Sequence, residues 1–470
     1  MLGASAPDVV TPAPAELPGA LQKVARQLSQ AHCAGEPAGD DALKSALRSA
    51  GILDGQVAHC IAQGRDGAEA RAALSACMTS RRRALAATVE EAASVETAGG
   101  ACACGVLVRR VATMWPIPET AAPFAELPLT ATLSPGARKP QWLLMDPRGR
   151  VEVLPARTVG NETRASATLH SGAGRYVVQL MVGGEGGPEV AAQVSVQAGP
   201  GGPSPTVVPV PPDASLAEDP AGALYEVLRL HRSRSSLSAL GRSAPLETTA
   251  RARLEALTGS ARLRHVQEDG ADMVRIYRAQ AGAPPVSRLA EVLAAGPTLA
   301  AAFQALLGSP AHRRQLDDPA FTHAGVAAAR TADTGEWLVV MALGRAVDGD
   351  GGDAPRAEVL ARLNAERSRR GLRPLTLEPT LQPLAEEHAA LLARKRGLVD
   401  QTPAGIPLSD VALERTGANR AGVQLYRVTR PSEVTANASV LDARYRQVAI
   451  GLKAGQGIDG LYVVVILLEP

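Results

Sequence analysis

The second half of the chain carries the same order of parts twice, over residues 222–346 and 356–470. Each stretch opens on a helical face, with Leu224, Val227, Leu228 and His231 in one and Leu360, Leu363 and Arg367 in the other. Each passes through a Pro-Leu step, Pro245-Leu246 and Pro374-Leu375, into a second helix. Each closes on two apolar strands. Phe321–Val326 is answered by Tyr445–Ile450 and Trp337–Met341 by Tyr462–Ile466, at offsets of 124 and 125. A spacing this constant marks one α/β unit used twice.

A chain of 470 residues exceeds one ordinary core and divides into two to four domains. Its 46% hydrophobic and 20% charged residues suit packed globular units, and with only 3% aromatics the cores fall to Ala, Leu and Val. That aromatic content and a net charge of +2 argue against nucleic acid as a partner. No apolar run approaches the ~18–20 residues of a membrane helix, and the nearest, Leu461–Leu468, has strand length.

Ahead of the repeat the pattern changes twice. Residues 1–18 are Pro-rich and polar, an extended or disordered stretch without the apolar core of a secretory leader. Such a stretch fits a mature exported protein and a cytosolic start equally. Residues 19–115 read as a helical, cysteine-containing domain: Leu21, Val24, Ala25 and Leu28 share a face, Gly51 ends a second helix, and one short strand follows at 104–111. From 116 to 199 the period becomes two, as in Leu127, Leu129, Ala131 and Leu133, with a turn at Asp146-Pro147-Arg148-Gly149; this predicts a β-sandwich of immunoglobulin type. Residues 200–219 form a Pro/Gly linker, and 347–355 a shorter one. The acids of the shorter linker miss the calcium-loop pattern, since Asp353 stands where Gly is needed.

All five cysteines (Cys33, Cys60, Cys77, Cys102 and Cys104) fall within the first 104 residues. At least one disulfide is expected in that cluster, and at most two with one thiol over, which leans toward export; free buried thiols are the alternative, and spacing leaves the pairing open. The Cys-x-Cys step at 102–104 is too close for ordinary structural zinc.

The stretch Leu363-Asn364-Ala365-Glu366-Arg367, then Gly371-Leu372-Arg373-Pro374-Leu375 and His388-Ala389, resembles the opening of bacterial CAP-superfamily domains. Ser309-Pro310-Ala311-His312-Arg313, followed by Asp318-Pro319 and Phe321–Val326, resembles that family's second signature. The resemblance implies two α-β-α sandwich domains, 220–346 and 356–470, so the fold expected is a multidomain α+β chain. It also implies a cleft in the first domain holding His265, Glu291 and His312, a set able to bind zinc. Here the glutamate lies between Ala290 and Val292, where the family usually has Gly and Asn, and Leu306 stands near the place of a common tryptophan.

Each of these residues also has a plainer reading. Ser309 can cap a helix with Pro310 in its first position, and His312 in that first turn is kept neutral, the form that binds metal, or simply caps the turn. His265, flanked by Arg262, Arg264 and Gln267, reads equally as a solvated surface histidine. Glu291 reads as a first-turn acid, while His231, His323 and His388 read as packing residues. In the second unit Ala436 and Asp400 replace the two site histidines.

No nucleophile elbow, His-Glu-x-x-His or phosphate loop occurs. The expected function is binding outside the cytoplasm, at the surface, in the periplasm or secreted. A lipid, a cell-wall component or a protein is the expected ligand, and a zinc-dependent hydrolase the alternative.

Overall fold

The structure, a computed structural model, describes residues 17–36, 39–53, 56–85, 89–96, 101–204, 218–258, 263–331, 335–349 and 351–470. Most of the expected extended N-terminus, linker residues 205–217, Arg262 and Asp350 lie outside that range.

The N-terminal unit contains helices α1 (Leu17–Cys33), α2 (Asp40–Ser49) and α3 (Gly67–Leu85). The expected face of α1 is buried, with Leu21, Val24, Ala25 and Leu28 against Cys104, Val106 and Val108. The domain is not a helical bundle, however. Strands β1 (Gln56–Gly64), β2 (Glu90–Glu96) and β3 (Ala101–Arg109) form an antiparallel sheet in the order β1-β3-β2. The two outer strands gave no periodic signal, because only Cys60 and Ala62 of β1 and Ala92 of β2 are fully buried. They are strands because they pair with β3, whose residues 101–108 are all buried. Non-local pairing overrides weak local preference there.

Two disulfides staple this unit. Cys33–Cys102 ties α1 to β3, and Cys60–Cys77 ties β1 to α3. Cys104 is free and buried, and burial pushes its thiol up to about 12. Thiol titration without reductant is expected to find no reactive cysteine in the native protein and one in denaturant. Three or five would refute the pairing.

Residues 112–198 form two sheets over one core. β4 (Ala112–Met114), β6 (Glu126–Leu133), β10 (Glu162–Thr168) and β9 (Ala156–Val159) make one, in the order β4-β6-β10-β9. β5 (Thr120–Ala121), β12 (Gly187–Ala198), β11 (Gly174–Gly184), β7 (Arg138–Met145) and β8 (Val151–Leu154) make the other, in the order β5-β12-β11-β7-β8. Trp142 lies fully buried between them, its Nε1 donating to Thr163 Oγ1 at 3.2 Å.

The two repeated stretches have matching sheets. The first contains α4 (Pro220–Arg234), β13 (Gly241–Arg242), α5 (Ala244–Thr258), α6 (Met273–Ala279), β14 (Val286–Gly296), α7 (Leu299–Gly308), α8 (Pro310–Leu316), β15 (His323–Arg330) and β16 (Trp337–Ala346). The second contains α9 (Asp353–Arg369), β17 (Thr376–Leu377), α10 (Gln382–Lys395), α11 (Leu408–Thr416), β18 (Arg420–Val428), β19 (Gln447–Ala454) and β20 (Leu461–Glu469). Helix α9 thus begins inside the expected linker 347–355. Sheet order is β13-β15-β16-β14 in one and β17-β19-β20-β18 in the other. In the first, Leu224, Leu228 and Phe303 cover one sheet face and Leu246, Leu254 and Tyr277 the other, so helices flank the sheet on both sides.

Register sharpens the match. Val326 faces Met341, and Ile450 faces Val465; both members shift by 124, so Trp337 answers Leu461 rather than Tyr462.

Each unit also buries one arginine at the same place. Arg232 donates from Nε to Ser238 O at 2.8 Å and from Nη1 to Leu316 O at 2.7 Å and Asp318 O at 3.2 Å. Arg367 donates from Nε to Arg373 O at 2.8 Å, and from Nη1 to Val440 O and to Asp442 O at 3.0 Å. A buried guanidinium needs such partners, and in each case they are backbone carbonyls of crossing loops. Aligned on these arginines, His231 stands opposite Glu366. His231 packs as expected, paired to Asp317 at 2.5 Å.

Candidate functional site

The three expected site residues come from three elements of the first repeated unit. His265 follows α5, Glu291 sits in the middle of β14 opposite Ala342, and His312 lies in α8. Glu291 is therefore no first-turn helix acid. Its side chain is only 7% exposed, and both oxygens are engaged. Oε2 meets His265 Nδ1 at 2.6 Å, and Oε1 accepts from Arg253 Nε at 2.5 Å. Arg253 itself is fully buried on α5, donating from Nη2 to Arg264 O, and its Nη1 has no partner among the described residues.

This chain of contacts fixes His265. With Nδ1 engaged by the carboxylate, Nε2 is the ring nitrogen left to meet a ligand. The ring is half-buried, not a solvated surface group. His312 lies close enough for the charge of His265 to act on it. Burial first and that charge second push its pKa down to about 4, so it is neutral at physiological pH.

The donor set does not make a three-ligand metal site. Both oxygens of Glu291 already accept hydrogen bonds, so its part in any ion site would be shared with Arg253 and His265. Among the described residues no three His, Cys, Asp or Glu side chains stand where they could share a metal ion. Glu291 acts here as the group that orients His265.

Helix α8 starts as expected at Pro310, with Ser309 at the N-cap position, but the serine side chain does not cap it. The sandwich does. Gln179 of β11, fully buried, accepts from Ala311 N through Oε1 at 2.8 Å and donates to Ser309 Oγ at 2.9 Å. The β11–β12 hairpin covers the neighbouring residues: Gly186 O accepts from Val266 N at 3.0 Å, and a Cβ on Gly187 (φ +95°) would lie 2.8 Å from Cβ of His265. Glycine is required there both for the backbone conformation and for the approach.

His312 faces a cavity of about 740 Å³ between the N-terminal unit, the sandwich and α7. Leu43, Leu47, Ile52, Val194 and Leu306 contribute apolar wall, with Lys44, Arg48 and Arg175 among the charged groups. His323 bonds Thr322 Oγ1 at 2.9 Å, and the buried His388 bonds Val399 O at 2.7 Å.

The model of the cysteine-rich secretory protein family, CAP, matches residues 226–342, well under half of the chain. This stretch is a CAP domain. Three solved structures are similar to parts of the chain. An outer surface protein of Borrelia burgdorferi has 23% identity over 28% of this chain and 95% of that one, TM-score 0.25. An extracellular SCP-domain protein of Bacillus anthracis has 13% identity over 49% and 85%, TM-score 0.24. A cysteine-rich secretory protein of Staphylococcus aureus has 11% identity over 50% and 83%, TM-score 0.23. No curated protein matches the chain. The domain assignment rests on residues 226–342, not on these superpositions.

Two residues that hold the CAP site were missed in the sequence. Arg253 carried a signal, since it shares a helical face with Leu246, Ala250, Leu254 and Leu257, where an arginine needs a buried partner. Gln179 carried none; it alternates inconspicuously along a sandwich strand.

Replacing Glu291 with Ala leaves the buried Arg253 charge unpaired and is expected to cost about 3 kcal/mol or more. Urea unfolding of Glu291→Ala, of Arg253→Met and of the double variant checks this. The double variant should lose much less than the sum, and simple additivity would deny the pairing. The CAP domain is also expected to be sensitive to acid. Folding lowers the His312 pKa, so the stability carried by its neutral form is complete above 6.5 and is lost as pH falls toward about 4. His312→Asn should flatten this slope in melting curves taken across that window.

Proposed function

We propose that the chain is an exported binding protein whose CAP domain takes its ligand beside His265 and His312, through the cavity it shares with the N-terminal unit and the sandwich. The carrying observation is that the neutral His312 faces a space with an apolar wall that is also lined by Lys44, Arg175 and the Arg48–Glu119 pair, a surplus of cations. Among a lipid, a wall component and a protein, an amphiphile with an anionic head fits such a wall best. The two disulfides support an oxidising compartment outside the cytoplasm.

The sandwich reads as an immunoglobulin-type module. Its sheets follow the order of that fold, with β4-β6-β10-β9 as A-B-E-D and β8-β7-β11-β12 as C′-C-F-G, and Tyr176 OH donates to Gly172 O at 3.1 Å as in a tyrosine corner. Residues 356–470 read as a second CAP-like copy without the site. The step from Arg253 to the carbonyl of Arg264 recurs as His388 to Val399, which sets Asp400 at the place of His265; Val423 and Ala436 stand at those of Glu291 and His312.

The test is binding of a fluorescent fatty acid. The wild type should bind and Ala305→Trp, placed in the cavity wall at an exposed position, should weaken it at least tenfold with an unchanged melting temperature. Equal binding by the variant refutes the cavity. The zinc-hydrolase alternative draws on the free Nε2 of His265, and elemental analysis of protein supplied with zinc decides it: one equivalent, lost in His312→Ala, would favour that reading.

A further inference from the structure

A second cavity, of about 780 Å³, lies between the 146–150 turn of the sandwich and the helix ends of the CAP domain. Five arginines line it: Arg148 and Arg150 from the sandwich, Arg234 from the end of α4, and Arg313 and Arg314 from α8. We propose that this cavity binds a ligand carrying two or more phosphate groups.

The charges facing the cavity do not cancel. Asp317 and Asp318 also line it, but both are engaged. Asp317 is held by His231 at 2.5 Å and by Arg313 at 3.2 Å, and Asp318 by Arg288 at 2.6 Å. The carboxylate of Asp146, below the turn, accepts from the backbone amides of Arg148 and Arg150 at 2.8 Å and from Ser171 Oγ at 2.6 Å. Among the described residues Arg148, Arg150, Arg234 and Arg314 have no acidic partner. Helix ends account for Arg234 and Arg314, since cations are favoured at C-termini. Nothing of that kind accounts for Arg148 and Arg150, which come from a sandwich turn.

The two sides of the cavity are fixed to each other. Gly149, at φ +81°, packs so closely that a Cβ would lie 2.1 Å from Arg313 Nη2. The Gln179 clamp on α8 holds the same interface nearby. Guanidinium groups from two domains thus converge on one space without having to be gathered by the ligand. Their forked donors match phosphate oxygens in pairs, and a multivalent anion balances the surplus charge. The described lining includes no Phe, Tyr or Trp on which a base could stack, so phosphate itself is the recognised group.

Calorimetry of the full chain with tripolyphosphate tests the assignment, with citrate as a carboxylate control. Tight binding of tripolyphosphate, weak binding of citrate and an affinity that falls steeply with salt are expected. Arg148→Gln/Arg150→Gln, at two exposed positions, should weaken tripolyphosphate at least tenfold without altering the melting temperature. Phosphatidylglycerol vesicles beside phosphatidylcholine vesicles separate the sources: capture by the former, lost in the same double variant, assigns the phosphates to a lipid surface, and its absence assigns them to a soluble ligand. Equal affinity for citrate, or undiminished tripolyphosphate binding by the double variant, overturns the proposal.

Discussion

Each repeated unit depends on a buried arginine whose donors end on backbone carbonyls. Arg232 and Arg367 each join an opening helix to loops from the far end of the same unit, including Leu316 and Asp318 in one case and Val440 and Asp442 in the other. A guanidinium removed from water is tolerated only when its donors are met, so the helix can sit in essentially one place against those loops. That placement sets where α8 and its histidine come to lie. Two units with helices of similar length, and with two further helices, α7 and α8, in the first, still share one register between their closing strands.

The CAP site repeats this logic with charge added. Arg253 holds Glu291, Glu291 holds His265, and His265 bears on His312. A carboxylate used this way fixes the ring of His265 through the buried charge of Arg253. Burial, with the nearby charge of His265 second, favours the neutral imidazole of His312, the form suited to accepting a hydrogen bond or meeting an apolar ligand.

The domains ahead of the CAP unit are more than spacers. The sandwich contributes the helix cap that Ser309 does not provide, and its glycine-rich hairpin closes over His265. The N-terminal unit supplies wall to the same cavity through Leu43, Leu47 and Ile52. Two interfaces around one sandwich thus give two unlike spaces, one with an apolar wall at His312 and one lined by arginine on the side of the 146–150 turn.

Local pattern in the sequence determined the closing strands of residues 222–346 and 356–470, the sandwich strands, the clustering of the cysteines and the candidate histidines, because periodicity and short motifs are properties of neighbouring residues. It determined neither the sheet of the N-terminal unit nor the cysteine pairing, since β1 and β2 are defined by their partner β3 and the disulfides by the packing of α1 and α3. The role of Glu291 lay beyond it for the same reason: a glutamate between Ala290 and Val292 reads alike as ligand, helix acid or ion-pair partner. Only tertiary structure brings Arg253 from another helix to its Oε1, and Gln179 from another domain to the start of α8. Contacts between residues far apart in sequence carry no local signature, and those contacts decided what the site can do.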